Sequence, residues 1–224
     1  MNDHLHASLQ PTDTDVGRTP GADSPGQSAV GPNPKSLLRA ALVGFLALSL
    51  LTGVLYPLLV TGIAQVAFPD KAHGSLIYRN GTLVGSRLLG QSFSDPRYFW
   101  GRPSATADFP YNATASGGSN LGPTNPALVS EVSRAVRALL AADPANRTVV
   151  PVDLVTSSGS GLDPDISPAA AAWQVDRVAR ARGLDHSTVQ ALVRRYTSGR
   201  SLGVLGRPRV RVLELNLALD ALGR

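Results

Sequence analysis

The chain has 224 residues, a formal net charge of +5 and no cysteine. Its length allows one domain of ordinary size plus additional segments, and the lack of cysteine excludes disulfide bridges, thiolate metal sites and a cysteine nucleophile. The basic excess does not indicate a nucleic-acid-binding protein, because the arginines are scattered over helix-like segments and no aromatic stacking platform accompanies them.

The first 34 residues have the composition of a disordered tail. Prolines stand among Gly, Ser, Thr and Asp, and large apolar side chains are scarce. Such a segment cannot bury enough apolar surface to offset the entropy lost on ordering. We therefore predict a disordered tail over residues 1 to 34.

An apolar run without ionisable residues follows, between Ala40 and Pro69. The apolar region of a cleavable signal peptide is about 7 to 15 residues long, and this run is about twice that length. A helix needs roughly 20 residues to cross the hydrocarbon core. We predict a transmembrane helix over residues 37 to 60, which could extend to about residue 68.

The charges beside this run indicate its orientation. Lys35 and Arg39 precede the run, whereas Lys71 follows it next to Asp70. This bias favours a single-pass protein with a cytoplasmic N-terminus. Residues 70 to 224 would then form an extracytoplasmic domain, with the tail in the cytoplasm.

The predicted outer domain begins with a β-hairpin and a long loop. Two alternating apolar runs flank Asn80 and Gly81, a dipeptide that tolerates the positive φ angles of a type I′ turn. Residues 94 to 126 then lack periodicity and are rich in Pro, Gly and Ser. A loop of this length in a compact domain is usually functional or packed by its own side chains.

Helices dominate the second half of the chain. Asn125-Pro126 and Ser167-Pro168 carry the signals of two helix starts, and Gly183 is a typical helix stop. Asp185 begins a third helix that we expect to end near Gly199. The C-terminal segment fits a short strand that enters a terminal helix.

Between the first two of these helices, residues 148 to 155 are β-branched and predict a strand. Residues 157 to 167 form a second loop of small residues. The fold class is therefore α+β: a single N-terminal transmembrane helix, then one extracytoplasmic domain with a β-hairpin, long Gly/Pro/Ser-rich loops and three to four helices.

Neither glycine-rich loop has the pattern of a known catalytic or phosphate-binding motif. A phosphate-binding loop of the P-loop type needs a lysine, which residues 116 to 121 and 157 to 163 both lack. The spacing around Ser119 and Ser160 does not match a serine-hydrolase elbow. Outside the tail, His73 and His186 are the available histidine bases, and both are expected at the surface. We assign no catalytic residue and no cofactor site.

Asp163 and Asp165 admit two interpretations. They could bind a hard cation or act as an acid–base pair. However, Asp-Pro shortly before a helix cap is also a common way to turn into a helix, and we favour that interpretation. We therefore predict no metal site.

Three long motifs in this order resemble one family. They are "VGSRLLGQSFSDPRYFWGRPSATADFPYNATASGGSNLGPTNP", "PVDLVTSSGSGLDPDISPAAAAWQVDRVARARGL" and "LGRPRVRVLELNLALD", all after a single N-terminal span. The resemblance is to the C subunit of the Kdp-type potassium-transporting ATPase of bacteria, and it covers residues 37 to 222. The tail of residues 1 to 34 is longer than is usual there, and Arg207 stands where such sequences usually carry an acidic residue.

The resemblance implies a non-catalytic accessory subunit of an ATP-driven, high-affinity potassium importer. The implied partners are a potassium-binding channel-like subunit, a P-type ATP-hydrolysing subunit, a further small membrane subunit and the lipid bilayer, with no nucleic acid. The complex would handle ATP and potassium, and this subunit would need no cofactor of its own. It would stabilise the assembly and act as a catalytic chaperone that raises the affinity of the pump for ATP.

The predicted topology places both glycine-rich loops on the side of the membrane without ATP, so we expect the effect on ATP affinity to be indirect. In the span, Ser49 and Gly53 are four residues apart and would let another helix approach closely. The aromatic residues at 98 to 100 either anchor the long loop on its own core or contact a partner. Our candidate partner contacts are Ser49, Gly53, Tyr98, Phe99, Trp100, Ser116, Gly117, Gly118, Ser119 and Asn120.

Two other classes of protein stay open from the residues alone. An anchored extracytoplasmic hydrolase could use Ser119 or Ser160, although the missing histidine base argues against it. An anchored binding module for a surface ligand would purify without large membrane partners. Mild-detergent co-purification separates both from a pump subunit.

Overall fold

The structure is a computed structural model that describes residues 33–222. Within these residues the chain divides into two compact units, with the boundary between Leu55 and Tyr56. Most of the predicted disordered tail, residues 1 to 32, lies outside the described residues. Asn33 and Pro34, the last two residues assigned to that tail, instead begin the first helix.

One apolar helical run covers residues 34–67. It consists of α1 (Pro34–Leu50), a π-helical turn (Leu51–Leu55) and α2 (Tyr56–Ala67). The run is 34 residues long, and none of its most apolar window is buried within the structure. It is therefore long and apolar enough to cross a membrane, as the prediction of a span at 37 to 60 requires.

Local signals account for both the start and the irregularity of this run. The side chain of Asn33 accepts a hydrogen bond from the Lys35 backbone N–H, and Pro34 occupies the first helical turn, where its missing N–H is harmless. The π-helical turn lies directly before Tyr56 and Pro57. Proline cannot donate the helical hydrogen bond, and wide turns of this kind commonly accompany such interruptions.

The second unit continues with a single turn, α3 (Pro69–Ala72), and a two-stranded antiparallel hairpin of β1 (Leu76–Arg79) and β2 (Thr82–Ser86). The hairpin turns at Asn80 and Gly81, whose φ angles are 51° and 77°. Positive φ at both positions is the requirement of a type I′ turn.

Four longer helices and a small sheet form the remainder of this unit within the described residues. The helices are α4 (Pro126–Ala142), α5 (Pro168–Arg182), α6 (His186–Arg195) and α7 (Val212–Ala221). The sheet has the antiparallel order β3–β5–β4, made of Asp165–Ile166, Arg209–Arg211 and Thr197–Ser198. The predicted mixture of helix and sheet is confirmed.

Caps explain where the helices begin and end. Asn125 accepts a hydrogen bond from the Ala127 N–H, and Ser167 accepts one from the Ala170 N–H. The helix α5 ends at Gly183, which has a φ of 64° in the left-handed region. The side chains of Asn125 and Ser167 satisfy backbone N–H groups that the first turn of a helix leaves unpaired. Gly183 allows the left-handed backbone with which many helices end.

The core surrounds α5, which buries eight of its fifteen residues. Ala170, Ala171, Val175 and Val178 pack there, because their small or β-branched side chains let α6, α7 and the preceding loop approach closely. Leu215 and Leu219 of α7 and Val189 of α6 complete the cluster, and all three are fully buried.

Two predictions of local structure are wrong. Residues 148 to 155 do not form a strand; Val152–Leu154 make one turn of 3-10 helix, and Val149 and Val152 are 92% and 70% exposed. The segment contains Pro151, which cannot donate to a β-ladder. The third helix ends at Arg195 instead of near Gly199, because Thr197 pairs with Val210 in the sheet.

Candidate functional site

The first part of the long loop is fixed by two buried amide side chains. Asn216 of α7 accepts a hydrogen bond from the Phe99 N–H at 2.8 Å and donates one to the Phe99 carbonyl at 2.9 Å. Gln174 of α5 makes the same two bonds with Trp100, at 2.8 and 3.1 Å. The two amides thus satisfy backbone groups that a neighbouring strand would otherwise pair.

A buried guanidinium holds the residues just before this pair. Arg177 donates to the carbonyls of Pro96 at 2.6 Å and Tyr98 at 3.0 Å. Its guanidinium carbon also lies 4.6 Å from the centroid of the Trp100 ring, within the range of a cation–π contact. Burial lowers the pKa of Arg177 to about 10, so this side chain is still protonated at neutral pH.

A second, more exposed group of charges surrounds Tyr98. The Tyr98 hydroxyl donates to Asp220 at 3.2 Å, and Arg182 forms an ion pair with the same carboxylate at 2.8 Å. Arg79 of the hairpin also reaches Asp220, at 3.4 Å. Asp220 therefore joins α5, α7, the hairpin and the loop.

These contacts decide between the two interpretations of the aromatic residues at 98 to 100. Phe99 is completely buried in the core cluster, so its side chain is not available to a partner, and we withdraw it as a candidate contact. Tyr98 and Trp100 are half-buried. Both anchor the loop internally and still present part of their surface.

The two glycine-rich loops lie against each other, and we call this contact the loop junction: residues 116–118 on residues 158–161. The Gly117 N–H donates to the Ser160 carbonyl at 2.9 Å, and the Ser116 hydroxyl donates to the same carbonyl at 3.2 Å. A Cβ on Gly118 would lie 3.1 Å from the Gly159 carbonyl oxygen. Small residues are therefore needed here for close backbone packing.

The serines at the loop junction cap turns. Ser158 accepts a hydrogen bond from the Gly161 N–H at 2.9 Å, and Ser160 accepts one from the Leu162 N–H at 3.1 Å. Ser104, from the middle of the long loop, donates to the Gly161 carbonyl at 2.7 Å. A serine nucleophile needs a nearby general base. These hydroxyls instead bond to other hydroxyls and to backbone groups.

The two candidate histidine bases lie in other contacts. His73 Nδ1 is 2.7 Å from the carbonyl of Pro69, one helical turn earlier. His186 Nε2 is 3.4 Å from the carboxylate of Asp176, and both side chains are more than half exposed. Each contact is an ordinary one for a surface histidine.

A cavity of about 620 Å³ lies elsewhere in the domain. Arg102, Asp163, Asp165, Arg207 and Arg209 line it, and each carboxylate is paired: Asp163 with Arg102 at 3.2 Å, and Asp165 with Arg209 at 2.9 Å. Asp163 also accepts the Asp165 N–H at 3.0 Å. This local bond supports the turn interpretation of the two aspartates.

Burial raises the pKa of the Asp165 carboxyl, and Arg209 opposes that effect. A cation would have to compete with the guanidinium groups for both carboxylates. The cavity therefore has the chemistry of a structural ion-pair cluster.

Tyr111 provides a titration test of the packing in the long loop. Its hydroxyl donates to the Arg102 carbonyl, and burial raises its pKa to about 12. The folded-state pKa lies above the ordinary tyrosine value of 10.0, so the stabilisation from this group is complete below pH 10 and is lost as the pH rises through about 12. We expect the difference between the phenolate absorbance titrations of the native chain and Tyr111→Phe to show a midpoint of about 12. A midpoint at 10 would mean that Tyr111 is exposed to water.

Sequence reasoning missed Gln174, Arg177 and Asn216. The signal available in the sequence was a polar residue on an otherwise apolar helix face, as in "AAAAWQV" and "LELNLALD". That pattern identifies a buried polar group but not its partner, because the partners lie 74 to 117 residues away.

Comparison with known proteins identifies the family. The model of the family described as "KdpC: K+-transporting ATPase, c chain" matches residues 38–221. The chain belongs to the KdpC family. Its candidate site therefore lies in the domain of a subunit of a potassium-transporting ATPase, and the family resemblance of the three motifs is confirmed.

Curated KdpC relatives match over nearly their whole length. The potassium-transporting ATPase KdpC subunit of Polaromonas naphthalenivorans is 63% identical over 188 residues, which cover 84% of this chain and 96% of the relative. The corresponding subunit of Sorangium cellulosum is 65% identical over 183 residues, covering 82% and 96%. That of Dechloromonas aromatica is 59% identical over 190 residues, covering 85% and 100%.

Proposed function

We propose that this KdpC-family chain is a single-span accessory subunit of an ATP-driven, high-affinity potassium importer in the bacterial plasma membrane. It stabilises the assembly and acts as a catalytic chaperone, raising the affinity of the ATP-hydrolysing subunit for ATP without binding ATP itself. Its other partners are the potassium-binding channel-like subunit and a further small membrane subunit. The N-terminus is cytoplasmic, because Lys35 and Arg39 precede the span and only Lys71 follows it closely.

The observation that carries the indirect mechanism is the internal bonding of the loop junction. An anion site uses free backbone N–H groups or cationic side chains. At the loop junction, the N–H groups of Gly117, Gly161 and Leu162 already donate to protein acceptors. A triphosphate would have to break these bonds, so the loops are better suited to rigid packing than to nucleotide binding.

The surfaces left for partners are on the span and on the outer edge of the long loop. Ser49 and Gly53 are exposed along α1 and the π-helical turn, and a Cβ on Gly53 would meet nothing within 4 Å. In the domain, Ser116 and Asn120 are exposed and residues 117–119 are half-buried. We propose these residues, with Tyr98 and Trp100, as partner contacts that differ in packing between states of the pump.

The proposed coupling predicts a specific pattern of ATP dependence. Coupling free energies between sites usually correspond to a factor of about 5 to 150 in affinity. We expect the pump without this subunit to need a correspondingly higher ATP concentration for half-maximal hydrolysis. Because binding linkage is reciprocal, a non-hydrolysable ATP analogue should tighten association of the subunit with the pump by the same factor.

Direct binding of labelled ATP to the full chain in detergent tests whether the chain binds the nucleotide itself. We expect no binding to the chain alone. ATP binding by the isolated chain that is lost in Ser158→Ala, and retained in the control Ser130→Ala on the exposed face of α4, would replace the indirect mechanism with a nucleotide site. Purification of the chain in mild detergent without a P-type ATPase would contradict its role as a pump subunit.

A further inference from the structure

The connection between β4 and β5 exposes apolar side chains at its tip. Ser201 and Leu205 form an antiparallel bridge, with two backbone hydrogen bonds of 2.9 Å, that closes a short turn. We call residues 201–205 the apolar tip. Leu202 is 89% exposed, Val204 72% and Leu205 59%. Contiguous exposed apolar residues rimmed by polar ones usually mark a surface that contacts a partner or a membrane.

The turn at the apolar tip holds a bulky residue in the left-handed region of backbone conformation. Leu202 and Gly203 have φ angles of 53° and 77°, almost the same as the 51° and 77° of Asn80 and Gly81 in the first hairpin. Asparagine tolerates the left-handed region, whereas a bulky side chain there is a genuine outlier. Leu202 thus combines backbone strain with an apolar side chain whose exposure is unfavourable in water.

The base of the connection that carries the apolar tip lies close to the point where the membrane helix ends. Arg209, at the base of the β4–β5 connection, lines one cavity together with Asp70 and Lys71, which follow the end of α2 at Ala67 by a few residues. Leu205 is four residues from Arg209, so Leu205 can lie at most about 14 Å from that base. This reach is compatible with a bilayer surface just beyond the end of the helix.

The first hairpin runs away from this end of the domain. Arg87, just after β2, pairs with Asp70 and with Glu214 at the start of α7, whereas Arg79, beside the Asn80 turn, pairs with Asp220 near the end of α7. The two turns have matched φ angles, and the Asn80 turn lies beside the end of α7 opposite to the one that Arg87 links to Asp70. Asn80 is therefore a suitable control for Leu202.

The charge around the apolar tip is complementary to anionic lipid. Arg200 and Arg207 flank the tip, both are exposed, and neither forms an ion pair within residues 33–222. Basic side chains close to a membrane are attracted by anionic headgroups, with each contributing to binding. Apolar side chains between them can enter the boundary between headgroups and acyl chains.

We propose that the apolar tip is a membrane-contact site. Leu202, Val204 and Leu205 insert into the interfacial region of the bilayer, and Arg200 and Arg207 bind lipid phosphates there. The span and this second contact together would restrain how the domain moves over the membrane. The inference rests on the membrane location used in the proposed function, but not on assembly with the pump or on which side the domain faces.

The lack of native cysteine permits a direct depth measurement. The full chain with Leu202→Cys, or with the control Asn80→Cys, is labelled with a nitroxide and reconstituted in vesicles of phosphatidylcholine with phosphatidylglycerol. We expect label collisions with oxygen to exceed those with a water-soluble nickel complex at position 202, and the reverse at position 80. Equal accessibility to the nickel complex at both positions would overturn the proposal.

A second variant separates membrane contact from folding. Leu202→Asn relieves the strain, so we expect its thermal midpoint in detergent to rise by about 2 to 4 °C. In the same variant, a nitroxide at Val204→Cys should become accessible to the nickel complex. If the nitroxide at position 204 stays inaccessible to the nickel complex in Leu202→Asn, the apolar side chain of Leu202 does not anchor the tip in the membrane.

A further experiment compares the label at position 202 in vesicles and in the complete pump. If the label at position 202 is water-accessible in vesicles and is immobilised only in the complete pump, the tip contacts a protein and the lipid proposal is wrong. Failure of the pump subunits to co-purify would contradict the proposed function and leave the depth measurement unchanged.

Discussion

Replacing Gln174 by alanine is expected to lower the free energy of unfolding by about 3 to 5 kcal/mol. The side chain is fully buried, and its amide bonds both backbone groups of Trp100 and also accepts from Arg177 at 2.6 Å. Each buried polar group left without a partner costs about 1 to 3 kcal/mol, and truncation also leaves a cavity. Both tryptophans of the chain, Trp100 and Trp173, lie in this region, so tryptophan fluorescence during denaturation of the full chain in detergent reports the change.

Two further variants separate the causes of this loss. Gln174→Met keeps much of the volume and removes the hydrogen bonds, so we expect it to lose less than alanine, about 2 to 3 kcal/mol. Gln190→Ala, on the exposed face of α6, is the matched control and should stay within about 0.5 kcal/mol of the native chain. Equal stability of Gln174→Ala and Gln190→Ala would show that the amide does not hold the loop.

The second large effect is expected for Gly161→Ala, with a loss of about 2 to 5 kcal/mol in the free energy of unfolding. Gly161 has a φ of 68°, and a Cβ there would lie 2.6 Å from the Gly117 carbonyl oxygen and 2.7 Å from the Thr106 Cγ2. The left-handed backbone costs a residue with a Cβ roughly 1 to 2 kcal/mol, and overpacking typically adds about 1 to 3 kcal/mol. The same denaturation experiment measures the sum of the backbone cost and the overpacking cost.

Gly159→Ala is the control in the same loop. A Cβ at Gly159 would meet nothing within 4 Å, and its φ is not in the left-handed region. We expect a change within about 0.5 kcal/mol, because the substitution touches no packed neighbour. A comparable loss in both variants would mean that the loop tolerates no side chain anywhere, and the specific close approach at Gly161 would then not be the cause.

The elements that could be predicted from the sequence are those with local causes. Asn125, Ser167 and Gly183 each bond or shape the backbone within a few residues of themselves, so their positions predict the ends of α4 and α5. The apolar run likewise requires no partner to be recognised. A strand requires a partner, and residues 148 to 155 have the composition of a strand without one in the structure.

The candidate site also has features that could be predicted from local sequence and features that depend on distant partners. The absence of a lysine and of suitable spacing around the serines could be seen in the sequence, and it argues against a P-loop or a hydrolase elbow. The contact between the two glycine-rich loops could not be predicted from the sequence, because Gly117 and Ser160 are distant along the chain and bond through their backbones. Backbone-to-backbone contacts leave no residue-type signal beyond the small size of the side chains.

The amide pair at Phe99 also constrains the order in which the domain can fold during synthesis. Asn216, in the last helix, is 117 residues downstream of Phe99. At a synthesis rate of about 5 to 20 residues per second, the ribosome needs roughly 6 to 23 seconds to make the intervening chain. Until then the Phe99 backbone groups lack their partner, and contacts of this sequence separation form slowly. This part of the long loop is therefore completed last, and it depends on intact α7.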